Sequence, residues 1–132
     1  MDMKAQLNLL HEPSRDEDSL YAIADDIAAW LPEEVEGYQC VLASYIPTLP
    51  PLVSMVLLSA LTDAEVKLTR TELLQVIKQS LYAQDKRLAQ AAAACLILCG
   101  STVGKALLQE ALQNHAPMPH ARLVQGMFEL LG

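Results

Sequence analysis

Three groups of side chains in this 132-residue chain have types and spacings that chemistry can use. Cys95 and Cys99 stand four positions apart, so a helix would bring both thiols to one face. Two thiolates leave a tetrahedral zinc site half filled, and the apolar run AAAACLILC around them raises a thiol's pKa and leaves it inert. His115 and His120 bound the loop HAPMPH with no cysteine or acid at ligand spacing, which predicts no metal site. The third group is acidic: Asp16, Glu17, Asp18, Asp25, Asp26, Glu33, Glu34 and Glu36, with Tyr21 among them. Paired carboxylates do acid-base work only where a pocket or a histidine shifts a pKa, and neither accompanies these. No glycine-rich phosphate loop is present. The expectation is a protein that is not an enzyme, with no catalytic, cofactor-binding or metal-ligating residues.

The acids instead carry information through their distribution. The chain has a net charge of −7. Up to Glu36 the acids Asp2, Glu12, Asp16, Glu17, Asp18, Asp25, Asp26, Glu33, Glu34 and Glu36 face only Lys4 and Arg15, while the remainder is nearly balanced. An acidic end of this kind disfavours nucleic acid and anionic membrane as partners and favours a basic protein surface. The residues expected to meet it are Asp16, Glu17, Asp18, Tyr21, Asp25, Asp26, Glu33, Glu34 and Glu36.

Hydrophobic residues recur at helical spacing along almost the whole chain, and 52% of residues are hydrophobic, enough for one core and too short a chain for two. The reading is a single domain over 1–132, with residues 1–13 as an N-terminal arm and 14–131 as helical repeats. Ser14 and Glu17 have capping-box spacing for a first helix to Leu31, with Leu20, Ile23, Ala24 and Ile27 inward and Asp18, Tyr21 and Asp25 on another face. Pro32 closes it, and Val35, Tyr38, Leu42 and Tyr45 or Ile46 form the next stripe. Trp30 at the junction reads as a core anchor. Pro47, Pro50 and Pro51 enforce a sharp linker before an almost wholly apolar helix from Leu52. Thr62 and Glu65 have the spacing to cap one short turn, and Thr69 with Glu72 makes a second capping box, for the helix carrying Leu73, Val76 and Ile77. Lys78, Lys86 and Arg87 read as solvated surface. Asp85 caps the alanine-rich helix, which ends where Gly100 takes a left-handed position. Val103, Leu107 and Ala111 stripe the following helix, and Leu123, Met127 and Leu130 the last one, whose spare apolar surface suggests a homodimer contact.

Two series of segments repeat at nearly the same interval. LVSMVLLSAL from Leu52, LAQAAAACLI from Leu88 and LVQGMFELLG from Leu123 form one; LLQVIKQSL from Leu73 and LLQEALQNH from Leu107 form the other. Interleaved series of this kind predict an all-α fold of about seven helices stacked as antiparallel αα-hairpins, either as a solenoid or as an irregular bundle. DKRLAQAAAACLILCGSTVGKALLQEAL has a charged start, an alanine- and leucine-rich helix, a short turn and a leucine-patterned helix, and so resembles a HEAT-like right-handed α-solenoid over residues 51–131. That resemblance implies a curved protein-binding surface and carries no catalytic residues.

MDMKAQLNLLHEPS has no basic segment followed by an apolar run, and the odd number of cysteines argues against a disulfide scaffold, so a cytoplasmic protein is expected. The function expected from charge and scaffold is that of an immunity protein, an antitoxin-like inhibitor whose acidic face covers the active cleft of a basic nuclease toxin. The alternative is a secretion chaperone or assembly adaptor that holds an amphipathic segment of an exported protein against an apolar face including Met55, Met127 and Phe128.

Overall fold

Prolines and short polar side chains set where the helices start, and the apolar stripes decide how they stack. The computed structural model describes residues 3–12, 16–30, 35–114 and 118–132. Its α-helices are α1 (Met3–Leu9), α2 (Glu17–Trp30), α3 (Val35–Tyr45), α4 (Pro51–Asp63), α5 (Thr71–Ser80), α6 (Lys86–Cys99), α7 (Ser101–Gln113) and α8 (Ala121–Leu131), with a 3₁₀ turn at Ile46–Thr48. No strand occurs among the described residues.

The helices form two rows. Even-numbered helices pack in sequence, α2 on α4, α4 on α6 and α6 on α8, and odd-numbered helices likewise, α1 on α3, α3 on α5 and α5 on α7. Neighbours within a row run in the same direction. Cys99 at the end of α6 donates from Sγ to the carbonyl of Leu61 near the end of α4, and Lys78 late in α5 reaches Glu110 late in α7. Hairpins α5–α6, α6–α7 and α7–α8 join the rows. The sequence series from Leu52, Leu88 and Leu123 are therefore α4, α6 and α8 of one row, and those from Leu73 and Leu107 are α5 and α7 of the other.

The core runs through the middle of both rows. Leu57, Leu58 and Leu61 of α4, Leu73, Leu74 and Ile77 of α5 and Leu96 of α6 are inaccessible or nearly so, and burying each such side chain stabilises the fold by about 1.5–3 kcal/mol. In α6 only a strip with Gln90, Ala94 and Leu98 reaches the surface beyond the first turn. Within α2, Leu20, Ile23, Ala24 and Ile27 face inward as expected, joined by Ala28.

Several expectations need correcting. Within the expected N-terminal arm Met3–Leu9 form a helix, α1, and Leu7 and Leu10 are fully buried. The first expected helix is α2, from Glu17, where Asp16 Oδ1 accepts the Ser19 amide at 2.8 Å and caps it. Ser14 lies outside the described residues, as do Leu31 and Pro32 and the side chains of Trp30 and Val35. Asp16→Ala is expected to lower stability by about 1 kcal/mol, with Asp16→Ser retaining most of it, read by urea unfolding. Thr62 caps nothing; it continues α4 and donates to the Leu58 carbonyl at 2.8 Å. The Thr69–Glu72 box is not formed: α5 starts after Arg70, and Gln39 of α3 accepts the Thr69 and Arg70 amides instead. Lys78 is buried, its ammonium 2.9 Å from Glu110. Asp85 does cap α6, accepting from the Leu88 amide.

The turn after α6 differs most in its reason. Gly100 has φ −91°, and the left-handed conformation belongs to Ser101 at φ 53°. What requires glycine is proximity, since a Cβ on Gly100 would sit 2.7 Å from Gly104 Cα, and one on Gly104 would sit 2.2 Å from the Leu96 carbonyl oxygen. Val103 is about half exposed, and Gly104, Leu107, Leu108 and Ala111 face inward. In α8 only Val124 is fully buried; Leu130, expected to face inward, is 87% exposed. No helix is long and apolar enough to cross a membrane among the described residues.

Candidate protein-binding surface

Helix α2 turns its apolar stripe into the row and its acids outward, but the acids do different jobs. Asp16 is spent on the helix cap. Glu17 accepts from Arg87 of α6 at 2.6 Å, a bond between residues 70 positions apart that ties the starts of α2 and α6 together. This hydrogen bond and the charge of Glu17 raise the Arg87 pKa above its ordinary value, so the guanidinium stays charged. Tyr21 is half buried and donates its hydroxyl to Met55 Sδ of α4 at 3.7 Å. Asp18, Asp25 and Asp26 are exposed, and among the described residues none of them makes an ion pair or hydrogen bond through its side chain. Asp18 and Asp25 flank Tyr21 at −3 and +4, on the same side of the helix. Glu33 and Glu34, and the side chain of Glu36, lie outside the described residues. Of the acids marked in the sequence, the structure thus leaves Asp18, Asp25 and Asp26 available.

Tyr21 leads from this acidic side to a groove that contains Met55 and Met127 of the apolar face named from the sequence, without Phe128. The groove, about 260 Å³, lies along α6 between α4 and α8. Ala91 and Ala94 line it from α6, Met55 and Ser59 from α4, and Met127 from α8. Because α4 and α6 run the same way, Arg87 with Met55 marks one end and Asp63 with Ala94 the other. Ser59 donates to Met55 Sδ at 3.6 Å, so this thioether is held by two hydroxyls, Ser59 and Tyr21. The signal in the sequence was the outward strip of α6, where alanine replaces the polar residue a surface helix ordinarily carries.

A second cavity of about 310 Å³ lies between the 3₁₀ turn, α4 and α5, bounded by Ile46, Leu49, Val76 and Leu88, with Ser54, Gln79 and Ser80 as its polar side chains. No titratable group lines it among the described residues. The thiols do not both behave as the apolar surroundings predict: Cys95 is completely buried and its hydrogen bond with Cys99, together with that burial, pushes its pKa up, whereas the same hydrogen bond lowers the pKa of Cys99, which is also buried. No cluster of three or more His, Cys, Asp or Glu that could hold a metal occurs among the described residues. His120 Nε2 lies 2.8 Å from the Gln84 carbonyl, and His115 lies outside the described residues. Leu130 and Leu131 of α8 remain uncovered at the place where the sequence suggests a homodimer contact.

The chain matches no protein-family model, no curated protein and no solved structure.

Proposed function

We propose that this chain is a non-catalytic protein-binding module whose α2 acids engage a basic partner surface. In its specific form it is a cytoplasmic immunity protein covering the nucleic-acid cleft of a nuclease toxin. The observation that carries the reading is the exposure of Asp18, Asp25 and Asp26 on one helix with no partner among the described residues. Aspartate is a poor helix former, and beyond the first turn the helix dipole gives it nothing. Asp25 and Asp26 are adjacent like charges in the second half of α2, so they stabilise neither the helix nor its packing. Facing a cluster of lysines or arginines they would accelerate encounter and fix orientation. A cleft that binds phosphates presents such a cluster.

The test is zero-length carbodiimide cross-linking in extract of the native cell, which joins carboxylates directly to lysine amines. The expected result is one protein linked through lysines to Asp18, Asp25 or Asp26, with the adduct lost in the triple aspartate-to-asparagine variant. Cross-links that map to other carboxylates, unchanged in that variant, would overturn the reading. The adaptor reading is favoured by a different observation, the methionine-lined groove along α6 between α4 and α8.

A further inference from the structure

We propose that the α2 acids and the groove between α4, α6 and α8 are one continuous docking site for a basic amphipathic helix of the partner. The inference rests on the acidic-face reading above and adds the anchor that such a face lacks by itself. Charge alone gives speed and orientation; a lasting complex also needs apolar side chains seated in a pocket.

The two features are joined by contact. Tyr21, between Asp18 and Asp25, ends on Met55, and Met55 lines the groove. Across the groove Met127 provides a second thioether, so flexible, polarisable side chains flank an alanine floor that admits a bulky residue. Beyond Ala94 the strip of α6 continues to Leu98, 55% exposed and one turn further on, which gives an incoming helix a second apolar contact at i, i+4 spacing.

The charges around the groove select the sign of the occupant. Among the described residues that line it, the one cation, Arg87, is paired with Glu17, and Asp63 lines the far end, while Asp18 and Asp25 stand exposed one turn to either side of Tyr21, whose hydroxyl reaches Met55. A helix with leucine-like residues on one face and lysine or arginine beside them satisfies both the floor and the rim. An acidic helix, a phosphate backbone or an anionic bilayer meets repulsion on the same rim.

The test uses the full chain and a synthetic amphipathic leucine–lysine peptide, with a scrambled isomer of equal charge. With methyl-labelled methionines, the peptide is expected to shift Met55 and Met127 and to leave Met118, which lies outside the groove, unmoved. Anisotropy of labelled peptide is expected to show about tenfold weaker binding for Ala94→Trp, which fills the floor, and for the scrambled isomer. Asp18→Lys with Asp25→Lys is expected to weaken binding and flatten its dependence on salt. If scrambled and amphipathic peptides bind alike and Met55 and Met127 do not move, the groove is not the anchor. Loss of binding confined to the aspartate variants would then leave the acidic-face reading standing. Loss confined to Ala94→Trp would remove the acidic face from the site and with it the joint proposal. The wild-type methionine spectra decide the matter even if Ala94→Trp does not fold.

Discussion

Replacing Gly104 by alanine is expected to destabilise the protein by about 2–3 kcal/mol, whereas the same change at Gly126 is expected to stabilise it by up to about 1 kcal/mol. Both glycines lie inside helices, α7 and α8, where alanine is the better helix former by about 1 kcal/mol. Only the surroundings differ. A Cβ on Gly104 would lie 2.2 Å from the carbonyl oxygen of Leu96 and 3.1 Å from its carbonyl carbon, whereas one on Gly126 meets nothing within 4 Å. The obstruction at Gly104 is backbone of α6, which cannot swing aside as a side-chain tip would. Relief requires α7 to move off α6, and Leu107, Leu108 and Ala111 to lose part of their burial.

Thermal unfolding checks the pair, with a fall in Tm on the order of 10 °C for Gly104→Ala and a small rise for Gly126→Ala. Equal behaviour of the two variants would show that the α6–α7 approach is not tight. The consequence extends to the proposed docking groove, because α8 follows α7 and carries Met127, one wall of it. Shifting α7 would widen or close the site without touching a residue in it.

How much of this was readable in advance depends on which physical signal each feature leaves in sequence. Rows of helices leave a strong one: Leu20, Ile23, Ala24 and Ile27, or Leu73 and Ile77, recur with helical period, and the segment series from Leu52, Leu88 and Leu123 mark the row α4–α6–α8. Close approach leaves a weak one, since Gly100 and Gly104 look like a helix stop and an isolated glycine until the Leu96 carbonyl is placed between them. Seven residues of α1 are too few to announce a helix by propensity, and tertiary burial of Leu7 and Leu10 holds it. Lys78 looked solvated because its side chain ends in a charge, yet its stem is buried and its ammonium finds Glu110 across the row. On the candidate surface, Asp18 and Asp25 were legible as a face by spacing. That Glu17 is consumed by Arg87, and that Tyr21 points to Met55, depends on partners 70 and 34 residues away.

The largest loss of stability from a single polar side chain is expected at Gln39, where replacement by leucine should remove about 3–5 kcal/mol. Nothing in GYQCVL distinguishes this glutamine from a surface residue, yet it is 0% exposed. Its Oε1 accepts from the Thr69 and Arg70 amides, each at 2.9 Å, and its Nε2 donates to the Lys67 carbonyl at 3.1 Å. Those groups belong to the irregular stretch between α4 and α5, which has no regular helical partners for them and must be pinned some other way. Leucine keeps most of the volume and strands two donors and an acceptor, each costing about 1–3 kcal/mol when left unpaired in a buried site. Against a total stability of about 5–15 kcal/mol this is a large fraction. The same stretch is also held by the Leu68 amide on the Cys99 carbonyl and by burial of Val66 and Leu68, so it should loosen locally before the whole fold is lost. Hydrogen exchange separates this mechanism from a simple packing defect. In Gln39→Leu the amides of Thr69 and Arg70 are expected to lose protection well before those of Leu57 and Leu58 in the middle of α4. Uniform loss across the chain, or a urea midpoint unchanged from the parent, would show that Gln39 does not hold the connection. Asp63, at the end of α4 where this stretch begins, marks one end of the groove between α4 and α8, so its placement is expected to become less defined in the same variant.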